Sequence, residues 1–204
     1  MAVDLAILAS RNVIAEKPGT GEASQDVVIL GGHYDTVPGI AGANDNSSGT
    51  AVLLALAKLL ADRSLDLDIR FVVFGSEELG LLGSRAYLES LSDDGKNDTV
   101  AMLNFDALAT GGQVTILGSD SLTGLVETLA EERGIAVFRR GGITGSSSDH
   151  ANFARQGIPV LMFTAPDSSR IHTPNDTLEF ADPALMEDSI RLDLALLESK
   201  DFPR

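Results

Sequence analysis

The 204-residue chain contains no cysteine and no tryptophan. Without cysteine it can form neither a disulfide nor a thiolate site, so any metal site must be built from His, Asp and Glu. Basic residues are also scarce. Fifteen Lys and Arg face thirty Asp and Glu, leaving a net charge of -15. That balance argues against nucleic acid and anionic membranes as partners, and it is compatible with a cationic amine on the substrate. The longest apolar stretch, 51–61, is too short to cross a bilayer and is interrupted by Lys58. No signal peptide is visible at Met1, which fits either a cytosolic protein or a mature domain whose leader was removed.

The hydrophobic content of 44% argues for a folded chain with a full core. The length is that of one domain spanning 1–204. Residues 11–16 read as an edge strand followed by a hairpin loop over 17–26. Strands are expected at 27–31, 68–74, 99–105, 113–117, 135–138 and 159–163. Helices are expected from the Asn46–Ser48 cap candidates to about Ala61, and at 81–91, 121–132, 149–156 and 183–197. The first helix is apolar nearly all round and is expected to be central. Strands alternate with helices, which implies an α/β fold with a mostly parallel sheet covered on both faces.

Four apolar runs end on metal-binding chemistry. VVILGG leads to His33 and Asp35, FVVFGS to Glu77 and Glu78, VAMLNF to Asp106, and PVLMF, after a short loop, to His172. A further acid, Asp45, lies in the glycine-rich GANDNSSG. The carboxyl ends of parallel strands share one edge of a sheet, so these distant residues can meet. Two imidazoles and three carboxylates, with one carboxylate left over, suit a pair of zinc ions and a general base. Singly, each has a plainer reading. His33 and Asp35 could lie in a polar loop, Asp45 could cap a helix, Glu77 and Glu78 could be solvated, and Asp106 could be an ordinary strand-end acid. Asp176 could orient His172 or form an Asx turn. His150, opening a helix, reads as structural.

With HYDT, GANDNSSG, SEELGLLGS, NFDALA, SDHANF and IHTPNDT in that order, the chain from about Asn12 to Leu197 resembles the two-zinc aminopeptidases of peptidase family M28. The resemblance implies a three-layer sandwich of the phosphorylase/hydrolase-like, zinc-exopeptidase type around a central mixed, mostly parallel sheet. It implies two zinc ions, with His33 and Asp106 on one, Glu78 and His172 on the other, and Asp45 bridging. It further implies Glu77 as general base, Asp35 and Asp176 as orienting acids, Asp149 as a supporting acid, and a cis peptide after Asp45. The substrates would be peptides with a free N-terminus, and the setting secreted or extracellular. The apolar preference would come from segments near Ile143, Phe153, Met162 and Phe163.

Two departures stand out. Several relatives place a tyrosine oxyanion donor where this chain has Ile171, leaving Arg170 or a nearby Ser as substitutes. Relatives also carry a longer helical region before the first strand, so the short lead here implies a trimmed chain or a piece of a longer one. Rival readings are a zinc amidohydrolase or carboxypeptidase, a one-zinc glutaminyl cyclase, and a non-catalytic interaction domain on the same scaffold. The spacing from His33 to Asp45 and the absence of an inserted domain weigh against the first, and the complete ligand set weighs against the last.

Overall fold

The computed structural model describes residues 9–20, 25–141 and 148–202. Seven strands form one mixed sheet. They are β1 (Val13–Lys17), β2 (Val27–His33), β3 (Asp68–Phe74), β4 (Thr99–Phe105), β5 (Val114–Gly118), β6 (Val137–Arg139) and β7 (Val160–Thr164). Their order is β1-β3-β2-β4-β7-β5-β6. The adjacent strands β3, β2, β4 and β7 run parallel, β1 is antiparallel to β3, and β5 is antiparallel to β7 but parallel to β6. These four parallel neighbours are the four apolar runs that lead to the site residues. Strands buried on both faces read as continuous apolar sequence rather than alternation, and β2 is buried along its whole length.

The helices are α1 (Gly49–Leu60), α2 (Leu82–Ser90), α3 (Asp93–Asn97), α4 (Asp120–Arg133), α5 (His150–Arg155) and α6 (Pro183–Leu197). One sheet face, presenting Val28, Leu30, Ile69, Leu103 and Phe163, packs under α1, α4 and α6. The other, presenting Ile29, Val72, Phe74 and Met102, packs under α2 and α5, where Tyr87 and Phe153 meet Phe74. The period-2 alternation of strand side chains sends neighbours such as Leu30 and Ile29 to opposite layers. The result is the expected three-layer sandwich.

Three local expectations change. The loop after β1 is not a hairpin loop, because β3 lies between β1 and β2. Instead Gly19 N–H donates to the Asp68 carboxylate and Thr20 N–H to Leu65 O. Helix α1 is not buried all round. Val52, Leu53, Leu56 and Leu60 face the core, while Leu54 and Leu59 are exposed. The short helix α3 was not anticipated; its Ser92 side chain accepts from Gly95 N–H, a standard N-cap.

Candidate metal centre

His33 is the last residue of β2, and Asp106 immediately follows β4. Glu77 and Glu78 lie just beyond β3, and His172 lies in the loop after β7. Asp45 reaches the same place from the loop before α1. That loop is stitched to the segment after β4. The N–H groups of Ala107, Leu108 and Ala109 donate in turn to side-chain oxygens of Asn46 (3.4 Å), Ser48 (3.0 Å) and Asn44 (2.7 Å). Asn46 also donates to Phe105 O and accepts from Gly49 N–H. Asn46 therefore caps α1 as expected, but Ser48 does not, since its hydroxyl is engaged with Leu108 and Asn44 O. A Cβ on Gly32 would come within 2.7 Å of Phe105 O, so glycine permits this close approach. The Asp45–Asn46 peptide is cis.

The result is two triplets sharing one residue, His33–Asp45–Asp106 and Asp45–Glu78–His172. His33 Nε2 lies 3.1 Å from Asp45 Oδ1 and 3.4 Å from Asp106 Oδ1. His172 Nε2 lies 3.1 Å from both Asp45 Oδ2 and Glu78 Oε2. Asp45 thus turns one oxygen toward each imidazole. His33 is 1% exposed, yet its Nε2 makes no hydrogen bond among the described residues. Ligand atoms ~2.0–2.1 Å from a tetrahedral zinc ion are about 3.3 Å apart. The observed separations fit that edge length, and the hard oxygen and imidazole donors suit zinc.

The supporting acids act on backbone more than on the rings. Asp35 was expected to orient His33 through its carboxylate. His33 Nδ1 instead lies 3.0 Å from the Asp35 backbone O, with the nearest carboxylate oxygen at 3.7 Å. The Asp35 carboxylate accepts from the N–H groups of Glu77 (3.0 Å) and Glu78 (3.3 Å). Asp176 likewise does not hold His172. Its two oxygens accept from the N–H groups of Asn44 (2.7 Å) and Asp45 (3.1 Å). Each acid therefore grips the backbone of a segment that bears a candidate ligand.

Electrostatics follow from crowding and burial. Burial alone would push the His33 imidazole down, but Asp106, Asp35 and Asp45 outweigh it and raise it. Burial pushes Glu77 up to about 8, opposed by His33 and reinforced by Asp106, Asp149 and Glu78. Burial also pushes Asp149 up to about 7. His150 is buried with both ring nitrogens unpaired among the described residues, and burial drives it down to about 4, so it stands as a neutral structural residue. A cation or proton is the ordinary remedy for such a carboxylate cluster.

A cavity of about 460 Å³ opens onto this cluster, lined by Glu77, Asp106, Leu81, Met162 and Ile171 among others. Of the residues expected to set an apolar preference, Met162 lines it, Phe153 and Phe163 are buried in the two cores, and Ile143 lies outside the described residues. Arg170 is not among the residues lining the cavity; its Nη1 pairs with Asp167 at 3.0 Å and its guanidinium stacks over Phe180. Among the described residues, four non-glycines have positive φ: Ser76, Leu81, Ala107 and His172. Ser76 precedes Glu77, Ala107 follows Asp106, and the other two line the cavity. Such conformations cost about 1–3 kcal/mol each and gather where a site requires them. Neither these turns nor the Asn44–Ser48 stitching was anticipated. The only sequence signal for the stitching was a run of small polar residues directly before an apolar helix.

Comparison with known proteins agrees. The chain is 36% identical over 182 residues to Aminopeptidase YwaD of Bacillus subtilis, covering 83% of this chain and 40% of that protein. It is 31% identical to a probable leucine aminopeptidase of Arthroderma otae, covering 83% and 52%. The structure of BSAP, a zinc aminopeptidase from Bacillus subtilis, superposes with a TM-score of 0.83 at 32% identity, covering 90% of this chain and 48% of that one. A glutaminyl cyclase from an Acidobacteriales bacterium superposes with a TM-score of 0.75 at 25% identity, covering 90% and 71%. The chain thus spans about half the length of the aminopeptidases it matches. The family model described as Peptidase family M28 matches residues 12–197. With that match and these relatives, the chain belongs to peptidase family M28.

Proposed function

We propose that residues 1–204 form the catalytic domain of a zinc-dependent aminopeptidase that removes the N-terminal residue of peptides. The observation that carries this reading is the pair of triplets sharing Asp45, with donor separations of 3.1 to 3.4 Å. His33 and Asp106 would hold one zinc ion, Glu78 and His172 the other, and Asp45 both. When bound, zinc would supply Lewis acidity, lowering the pKa of water and polarising a carbonyl.

Glu77 is the general base in this reading. It lines the cavity beside the triplets and is not a member of either. It takes a proton from the attacking water and returns it to the leaving amine. The Asp35 grip on the Glu77 and Glu78 N–H groups keeps base and ligand in fixed relative positions. A free substrate amine is cationic and meets a wall of carboxylates, whereas an acylated one loses that attraction. This restricts cleavage to the first residue.

Zinc content measured together with hydrolysis of leucyl and N-acetyl-leucyl anilides tests the proposal. Two zinc ions per chain and cleavage of the free amine alone are expected. Cleavage of the acetylated substrate would instead indicate an amidohydrolase. A single zinc ion with cyclisation of N-terminal glutamine would indicate a glutaminyl cyclase. A metal-free, inert protein would indicate a binding domain.

A further inference from the structure

Arg139 and Arg140 follow one another at the end of β6 and point to opposite faces of the sheet. Arg139 pairs with Asp120 and, at 3.2 Å, with Glu127, both on α4. Arg140 lines the cavity on the other face, with Met162 and Thr164 of β7. Its backbone N–H donates to Ile116 O at 2.9 Å, which fixes where the side chain starts. Arg140 is the one Lys or Arg among the described residues lining this cavity. No described acid pairs with it. Other exposed arginines, Arg85 and Arg155 among them, also lack an acidic partner, but neither lines this cavity.

We infer that Arg140 binds a carboxylate of the substrate, at a distance from the scissile bond. This inference names a substrate class for the aminopeptidase site proposed above. Arginine presents a planar fork of donors that matches a carboxylate bidentately. Position sets which carboxylate can reach it. Strands β4, β7, β5 and β6 are successive neighbours. Phe105, Phe163, Ile116 and Arg139 share one row, and β6 runs opposite to β4, so the Arg140 backbone lies three strands (~14 Å) across the sheet and two residues (~7 Å) along it from that of Asp106. The side chain reaches back over part of that span. An extended peptide advances about 3.3–3.6 Å per residue. A carboxylate about two or three residues from the N-terminus is therefore in range. It can be the C-terminus of a di- or tripeptide, or an acidic side chain in the second or third position. The surrounding field repels anions, so the local cation decides whether such substrates are accepted.

The test compares Leu-Ala, Leu-Ala amide and Leu-Glu amide as substrates of the zinc-loaded protein and of Arg140→Gln and Arg140→Lys. The free acid is expected to exceed the neutral amide in kcat/KM by about 10- to 100-fold, the scale of one charge-assisted contact. Arg140→Gln should abolish that preference and Arg140→Lys restore part of it. Leucyl anilide hydrolysis and zinc content should stay within about twofold. Preference for Leu-Glu amide alone identifies a side-chain carboxylate as the ligand, and preference for Leu-Ala alone identifies a C-terminus. Equal rates for all three substrates in the wild type would overturn the inference, as would an equal loss on all three in Arg140→Gln. Calorimetric binding of the same three peptides to zinc-loaded Glu77→Gln protein, with and without Arg140→Gln, separates this from the activity. If leucyl anilide is never cleaved but the acids bind more tightly only when Arg140 is present, the aminopeptidase reading fails and the carboxylate site stands.

Discussion

The carboxylate of Asp176 accepts the backbone N–H of Asp45 at 3.1 Å and that of Asn44 at 2.7 Å. A residue 131 positions away thus holds in place the one carboxylate that faces both histidines. Two N–H groups on two carboxylate oxygens cannot be matched by an amide, which offers one acceptor and one donor group. Asp176→Asn is expected to lower zinc affinity about 10- to 100-fold while leaving the fold intact. Zinc titration against a competing chelator measures this. Unchanged affinity would mean that the Asp45 loop is held by its Asn44, Asn46 and Ser48 bonds alone.

Glu77 and Glu78 are adjacent but should separate cleanly. Glu77→Gln keeps the shape and cannot take a proton, so turnover should fall by roughly 10²–10⁴ with zinc retained. Glu78→Ala should lose one zinc ion. Metal analysis beside turnover distinguishes them, and near-normal turnover in Glu77→Gln would remove Glu77 as the base.

Stripping metal should abolish activity, and added zinc should restore it. The apo protein should also melt lower, because a ligand bound only to the folded state stabilises it and because Asp45, Glu78 and Asp106 are left repelling one another. For a domain of this size, zinc at a thousandfold excess over its Kd corresponds to about 10 °C in Tm. Identical melting curves with and without metal would contradict a cation-held acidic cluster.

Asp193 on α6 is 0% exposed, sits between the core residues Leu192 and Leu196, and has no hydrogen-bond partner for either oxygen among the described residues. Burial raises its pKa well above 3.8. The unfolded chain releases this proton near pH 4 while the folded one keeps it. Above that pH the unfolded state therefore binds fewer protons, and stability falls as pH rises toward the folded value. Asp193→Asn removes that slope. The variant should match the wild type near pH 4 and exceed it at pH 7 by about 1–3 kcal/mol, read from denaturant melts at both values. A variant that is weaker at pH 7 would show that Asp193 is ionised and paired in the fold.

Strand positions, the layered architecture and the identity of the site-bearing segments were legible from residue pattern alone. A parallel strand buried on both faces must be apolar throughout, and whatever chemistry follows it must emerge at one edge. That logic ties His33, Glu77, Glu78, Asp106 and His172 together from sequence alone. Two things lay beyond it. The sheet order, with β3 between β1 and β2, depends on which edges find partners, and local sequence does not encode that. The partners of Asp35 and Asp176 likewise depend on where backbone N–H groups come to lie. Hydrogen-bonding groups reach only about 3 Å. Residue type and spacing could therefore nominate these side chains, but only the folded chain could decide what each one holds.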